Sequence, residues 1–290
     1  MSKNYAALIV DLKKSRAYTK EHRNYIQSYI MGVIQLLNSL YCRELVREVD
    51  FSAGDEVQGL FSSPEAAYLY YRMLSMWLHP IEIRAGIGAG EWDVQLENKG
   101  TTGQDGPVYH KARQAIKSAD DGEGYPILFL SGKRSDITLN TIIGGAASIM
   151  AKQSVYQNQI MLLMELLFPI CNDFVLGHDR SVQHKAEYFL REKCVLTHEL
   201  EKIVRPLPFD RLKSGFIGFI EPINVDDIWK ETQFYITEGK QRGIPTKLAG
   251  IMENISRQTI EKTIKAGNIY TARNMAITAI NEMTNIRWER

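Results

Sequence analysis

The chain has 290 residues, of which 44% are hydrophobic and 24% are charged. This composition is typical of a soluble globular protein with room for two domains, and it excludes the disordered and fibrous classes. A formal net charge of +1 argues against a protein held to nucleic acid or anionic lipid by bulk charge.

Cysteine usage and apolar runs indicate a cytoplasmic protein. Cys42, Cys171 and Cys194 form no CxxC pair, so neither a zinc site nor a disulfide framework is expected. The N-terminus lacks the basic-then-apolar order of a signal peptide, and the longest charge-free apolar stretch, Ile137 to Ala151, has 15 residues. We interpret this stretch as a buried helix, with no membrane span.

The first predicted elements are a strand and a long helix. YAALIVDL (5–12) is a continuous apolar run, which indicates a central strand that carries Asp11 to the edge of a sheet. Apolar residues spaced by three and four predict a helix from Tyr18 to Cys42. We expect the apolar stripe of this helix to cover the sheet.

A hairpin and a second helix follow. LVREVDF (45–51) and EVQGLF (56–61) alternate with period two, and Gly54 between them suits a tight turn. Ser63 and Pro64 then predict a helix start, because serine caps a helix and proline fits its first turn.

Three further elements complete the first half of the chain. IEIRAGIGAGEW (81–92) is a predicted strand whose alternate glycines share one face, which permits close approach of a ligand or of a packed helix. GPVYHKARQAIKSA (106–119) predicts a helix and YPILFLS (125–131) a strand. The order βαββαβαβ predicts an α+β domain of the ferredoxin-like kind, with helices on one face of a mainly antiparallel sheet.

This topology predicts a site made by two aspartates. If the first strand lies beside the hairpin, Asp11 and Asp55 face each other at one edge of the sheet. Two close carboxylates repel unless a cation joins them, and oxygen ligands of this kind suit Mg²⁺ or Mn²⁺ shared with a triphosphate. The alternative is that Asp55 only serves the turn, as aspartate often does.

Four motifs occur in order over roughly residues 5 to 131, namely VDLKKS, FSAGDEVQGLF, IRAGIGAGEW and GPVYHKAR. They resemble the motifs of the class III nucleotide cyclase catalytic fold, a relative of the GGDEF and polymerase palm domains. The whole chain resembles the SatD family, in which such a domain is coupled to a C-terminal helix-turn-helix.

The cyclase resemblance implies a role for several residues. Asp11 and Asp55 match the two metal-binding aspartates, and the Leu12 carbonyl is a further candidate ligand. The triphosphate loop would contain Lys13, Lys14 and Ser15. Arg113 matches the arginine that stabilises the transition state from the partner subunit, so a homodimer is implied.

The match departs from the cyclase pattern in the nucleotide pocket. Tyr109 stands where cyclases carry an asparagine, and Phe51 where a lysine or glutamate reads the purine edge. Lys133 is a poor substitute for the late phosphate-binding lysine. The base therefore cannot be inferred, and both a cyclase of unusual specificity and a domain that binds nucleotide without turnover stay open.

The remainder of the chain is predicted to be mainly helical. Residues 137 to 238 carry broad apolar faces suited to helix packing. Within them, 206–227 is rich in proline and glycine and is interpreted as a connector, with FIGFI as a candidate short strand. We therefore divide the chain into 1–135, a helical and connector region 136–238, and 239–290.

The last segment predicts a helix-turn-helix. Ala249 lies in a first helix, Asn254 at a turn that tolerates the left-handed conformation, and Ser256 at the start of a second helix. Ile260 and Ile264 should point inward. Such a pair of helices serves in DNA binding or in protein contacts.

Local charge favours duplex DNA as a partner of this segment. Residues 239–290 contain nine basic and four acidic side chains, an excess that attracts phosphates. Arg257, Gln258 and Lys262 would project from the second helix, and the first two can make bidentate contacts to base edges. Glu261 lies among them.

The histidines give no site in this interpretation. His110 adjoins the helix of the predicted site and is read as structural. His178, His184 and His198 have no recognised ligand spacing and are read as solvated.

Two hypotheses for function follow. In the first, the N-terminal domain transfers nucleotidyl groups from a nucleoside triphosphate, with catalysis by Asp11, Asp55 and Arg113. In the second, the same pocket senses nucleotide or is inactive, and the protein is a DNA-binding transcriptional regulator.

Overall fold

The structure is a computed structural model, and it describes residues 5–13, 19–93, 105–119, 124–171, 180–216, 221–224 and 243–286. Its first half contains, in chain order, β1 Tyr5–Leu12, α1 Lys20–Leu40, β2 Leu45–Ala53, β3 Glu56–Phe61, α2 Pro64–Leu78, β4 Ile83–Gly90, α3 Pro107–Ala119 and β5 Ile127–Leu130. The predicted order βαββαβαβ is confirmed.

These strands form one sheet in the order β2-β3-β1-β4-β5. All neighbours are antiparallel except β4 and β5, which are parallel. The prediction of a mainly antiparallel sheet is therefore confirmed. Because β3 lies between β1 and β2, the first three strands and α1 form a split βαβ unit.

Local signals explain where these elements begin and turn. Ser63 accepts a hydrogen bond from the Ala66 amide and caps α2, with Pro64 in its first turn, as predicted. Gly54 turns the hairpin at a φ of 65°, a left-handed conformation that favours glycine. Apolar residues occupy almost all of β1 because both faces of this strand are covered.

Helices cover both faces of the sheet, so the prediction of helices on one face is wrong. Leu8 of β1 packs in the main core with α1 and α2. Ile9, on the opposite face, packs in a second core against Tyr109 and Ala112 of α3. The amphipathic pattern of α3 shows that it buries one face, but it does not show which side of the sheet receives it.

The alternate glycines of β4 explain how α3 approaches so closely. A Cβ atom added to Gly88 would lie 2.2 Å from the Val108 carbonyl oxygen and 2.3 Å from the Ala112 amide nitrogen. Gly86 meets the backbone of α3 in the same way. Of the two uses left open for these glycines, helix packing therefore accounts for Gly86 and Gly88.

We expect Gly88→Ala to destabilise the protein by about 1–3 kcal/mol or more, because the backbone atoms that a methyl group would meet cannot move independently. Thermal or urea unfolding measures this change. Gly250→Ala is the matched control, since no atom lies within 4 Å of its Cβ position. Equal stability of the two variants would contradict the packing account.

The second half of the described chain is mainly helical. It contains α4 Asp136–Ala151, α5 Val155–Leu167, α6 Arg180–Glu201, α7 Ile244–Gly250, α8 Arg257–Ala266 and α9 Ile269–Thr284. Two short strands, β6 Ile170–Cys171 and β7 Ile223–Asn224, pair in parallel. The FIGFI segment falls mostly outside the described residues, and the three-part division of the chain stays a prediction.

The apolar stretch of 15 residues forms a helix, as predicted, but only part of this helix is buried, and Ile137 near its start is 74% exposed. This helix is α4, which packs along α9 and against β5. Within the described ranges, no helix is long and apolar enough to cross a membrane.

The predicted pair of helices near the C-terminus is confirmed. Asn254 adopts a φ of 56° between α7 and α8, and the Ser256 hydroxyl accepts a hydrogen bond from the Thr259 amide. Ile260 and Ile264 are fully buried. Whether this pair is a helix-turn-helix that binds DNA stays a prediction.

A buried cluster of charges joins the two halves of the chain. Glu165 of α5 accepts contacts from Arg72 of α2 at 2.5 Å and from Arg273 of α9 at 3.2 Å. Arg273 also donates to the Phe168 carbonyl oxygen at 2.6 Å. Arg273 is one of the nine basic residues of 239–290 that were expected to attract DNA. It is buried, so it does not contribute to a basic surface.

We expect Glu165→Ala to lower the free energy of unfolding by about 3–5 kcal/mol, because it leaves two buried guanidinium groups without their carboxylate. Urea unfolding measures the loss. The control is Glu261→Ala, which removes a surface carboxylate paired on its own helix and should cost less than about 1 kcal/mol. A small effect at Glu165 would show that the cluster does not hold the halves together.

Candidate functional site

The site begins with a row of three charged residues on neighbouring strands. In the register of the sheet, Asp11 of β1 lies directly opposite Glu56 of β3 and Arg84 of β4. Directly opposed residues in an antiparallel pair point to the same face. The three side chains therefore share the face of the sheet that carries α3.

Arg84 holds Asp11 through one oxygen. Its Nε donates to Asp11 Oδ2 at 2.8 Å, and its terminal nitrogen contacts the same oxygen at 2.5 Å. Both contacts go to Oδ2, so the ion pair fixes the Asp11 carboxylate through that one oxygen.

Asp55 lies in the hairpin turn beside Glu56, close enough to Asp11 for their charges to interact. The expectation that the end of the first strand meets the hairpin turn therefore agrees with the structure. Ser52 donates to the Glu56 carboxylate at 2.7 Å. Glu56, the first residue of β3, is thus tied to the hairpin itself.

The Leu12 carbonyl is directed to the same place. The Lys13 amide donates to the Glu82 carbonyl oxygen at 2.9 Å, so the backbone groups of Lys13 point towards β4. Backbone groups of successive strand residues point to opposite sides. Those of Leu12 therefore point towards the hairpin, where the pairing of β1 with β3 has ended at Asp11 and Glu56.

The electrostatics of Asp11 reflect its crowded position. Burial raises the pKa of this carboxyl above its usual value, the Arg84 guanidinium opposes the rise, and Asp55 and Glu56 add to it. Asp55 and Glu56 thus place further carboxylates near Asp11, and Leu12 presents its backbone carbonyl towards the hairpin. This oxygen-only donor set fits a hard divalent cation such as Mg²⁺ or Mn²⁺.

The two α3 residues of the predicted site differ in position. Tyr109 is buried on the side of α3 that faces the sheet. Its hydroxyl has no hydrogen-bond partner among the described residues. Burial raises its pKa well above the usual value, while nearby Arg47 lowers it. Arg113, one turn later, is exposed.

The other predicted residues lie in different parts of the structure or outside the part that is described. Phe51 is half-buried against the main core, on the sheet face opposite to Asp11. Lys13 lines a cavity of about 570 Å³ between the start of β4 and helices α4, α5 and α6. Lys14 and Ser15 lie outside the described residues. Lys133 is half-buried in the turn after β5.

Sequence reasoning missed Arg84 and Lys111. The amine of Lys111 donates to the Ala89 carbonyl at 2.9 Å and to the Ser131 carbonyl at 2.7 Å, which ties α3 to the ends of β4 and β5. Arg84 shares the face of Gly86 and Gly88 by simple alternation. The face on which Arg84 lies could therefore be predicted from the sequence. Its ion pair with Asp11 could not, because that contact depends on the strand register.

The predicted DNA-contacting residues lie on the surface of α8. Arg257, Gln258 and Lys262 are exposed. Glu261 lies 4.0 Å from Arg257 and 3.5 Å from Lys265, so part of the basic charge is balanced within the helix.

Comparison with known proteins places this chain in a family. The model of the SatD family matches residues 5–172, which is more than half of the chain and includes the whole sheet with its row of charged residues. No curated protein matches. The chain belongs to the SatD family.

Proposed function

We propose that the N-terminal half binds a nucleoside triphosphate with Mg²⁺ or Mn²⁺ at Asp11 and Asp55, and that it acts as a nucleotidyl cyclase. The supporting observation is the position of Asp11, which lies opposite Glu56 at the end of the pairing of β1 with β3 and close enough to Asp55 for their charges to interact. A carboxylate pair at a tight hairpin is costly unless a cation offsets its charge.

The proposal gives each residue of the site a separate role. Asp11 and Asp55 hold the metal, which would activate a ribose hydroxyl and steady the departing pyrophosphate. Arg84 keeps Asp11 oriented through Oδ2. Lys13, together with Lys14 and Ser15, would contact the phosphates.

Arg113 has the role of stabilising negative charge. In this proposal it acts from the partner subunit of a homodimer on the charge that develops during transfer. Its exposure on α3 supports a role at such an interface. Tyr109, in the asparagine position of cyclases, is buried, so the proposal leaves the base unassigned.

Asp55→Asn should abolish metal-dependent nucleotide binding with little loss of fold, because asparagine suits the turn equally well but lacks the charge that holds a cation. Calorimetric titration of nucleoside triphosphate with and without Mg²⁺ measures this. Asp93→Asn, an exposed aspartate beyond the opposite end of β4, is the control. Parent-like, Mg²⁺-dependent binding by Asp55→Asn would refute the metal site.

The reaction is tested by incubating the protein with each of the four ribonucleoside triphosphates and Mg²⁺ or Mn²⁺, with products read by mass spectrometry. We expect a cyclic or linked nucleotide that disappears with Asp55→Asn. Unchanged triphosphate in every tube, with binding intact, would favour a nucleotide sensor.

The second candidate function is a DNA-binding regulator, in which α8 contacts duplex DNA. The observation that favours it is the exposed trio Arg257, Gln258 and Lys262 on a capped helix, preceded by a left-handed Asn254. This arrangement suits a recognition helix that enters a major groove.

We expect Arg257→Ala to weaken duplex binding and to lower the dependence of log affinity on log salt by about one unit, as for one lost phosphate contact. Fluorescence anisotropy at several salt concentrations measures both quantities. Arg43→Ala, an exposed arginine between α1 and β2, should behave as the parent does. Identical affinities for Arg257→Ala and the parent at every salt concentration would remove α8 as a DNA-contacting surface.

A further inference from the structure

A second group of ligating side chains lies far from the aspartate pair in sequence. Cys194 and His198 are one turn apart on α6, and Asp210 lies in the 3₁₀ turn Pro208–Arg211. One ligand atom from each, a sulfur, a nitrogen and an oxygen, lies within 4.8 Å of the other two. The interpretation of His198 as solvated is wrong, because both of its ring nitrogens have partners in the protein.

The histidine geometry calls for a positive charge between His198 and Asp210. His198 Nδ1 lies 2.7 Å from the Ile203 carbonyl oxygen, an acceptor only, so Nδ1 must carry the proton. In a neutral imidazole, Nε2 then carries a lone pair and can only accept a hydrogen bond. This nitrogen faces Asp210 Oδ2, which is also an acceptor, at 2.8 Å. Two acceptors at that distance require either a second proton on the ring or a cation.

The surroundings orient the ligands as they would around a metal. A hydrogen bond from Nδ1 to a backbone carbonyl is the usual device that aims Nε2 at an ion. The Leu207 amide donates to Asp210 Oδ2 at 2.7 Å and holds that carboxylate in place. The thiol of Cys194 lies 3.2 Å from Asp210 Oδ1.

We infer that Cys194, His198 and Asp210 bind a divalent transition-metal ion of the Zn²⁺ class. Zn²⁺ takes thiolate, imidazole and carboxylate ligands at about 2.0–2.3 Å, which places tetrahedral ligand atoms roughly 3.3–3.7 Å apart. Each ligand atom lies within 4.8 Å of the other two, so movements of about 1 Å reach that geometry. Mg²⁺ and Ca²⁺ prefer oxygen ligands alone and do not suit this set. Three protein ligands leave a fourth position for water.

A nucleophilic cysteine is the competing use of the same residues, and the geometry disfavours it. An activated thiol needs a histidine as its base, with the carboxylate behind that histidine. Here the carboxylate lies between the other two groups, since Cys194 and His198 each contact Asp210.

The position of the site indicates what the ion would stabilise. The 3₁₀ turn that carries Asp210 continues into Leu212, which forms a bridge with Met252. Arg211 in the same turn donates to the Asn254 carbonyl oxygen at 2.8 Å. Metal binding would therefore fasten α6 to the segment that supports the turn between α7 and α8.

The test uses the full-length, untagged chain, stripped with a chelator and titrated with Zn²⁺ against a chromophoric competitor. We expect one equivalent to bind tightly, and Co²⁺ in its place to give the near-ultraviolet charge-transfer band of a thiolate ligand. Cys194→Ser should abolish that band, and Asp210→Asn should weaken Zn²⁺ binding by about 10–100-fold or more.

Two variants serve as controls, and circular dichroism without metal checks the fold of each protein. Cys42→Ser removes an exposed thiol elsewhere, and His184→Gln removes an exposed histidine of the same helix. Both should bind as the parent does. Failure of the parent to take up Zn²⁺, or a Co²⁺ complex without a thiolate band, would overturn the inference even if the ligand variants did not fold. An imidazolium between Ile203 and Asp210 would then account for the geometry.

Discussion

The candidate nucleotide site depends on the register of β1. This strand is paired on both sides, and only the observed register sets Asp11 between Glu56 and Arg84. A slip of one residue would turn every side chain of the strand to the opposite face, which would bury Asp11 in the main core. Burial of the Asp11 carboxylate without its partner Arg84 opposes such a slip. The cost of burying this charge thus helps to determine which charges meet at the edge of the sheet.

Most of the first half of the fold could be predicted because its signals are local. Ser63 and Pro64 start α2, and Gly54 turns the hairpin, whatever the rest of the chain does. The meeting of Asp11 with Asp55 followed from the same elements, since a hairpin beside a central strand leaves few arrangements. The C-terminal pair of helices was readable from Asn254 for the same reason.

The features that were not predicted depend on contacts between distant residues. Arg72 and Glu165 are 93 positions apart, and a charged residue read alone is assigned to the surface. The side of the sheet that α3 covers depends on how its connection runs, which no periodicity encodes. Cys194 and His198 show a readable spacing of four on one helix, but the third member, Asp210, comes from a turn beyond it.

The buried cluster around Glu165 has a consequence for the order of synthesis. Its second arginine, Arg273, arrives on α9, which also packs along α4 and against α2. While the ribosome is still making the C-terminal segment, the groove that α9 will fill exposes apolar surface of the earlier helices. A nascent chain in that state is prone to aggregation. The core around α2 and α4 therefore depends on α9 for its completion.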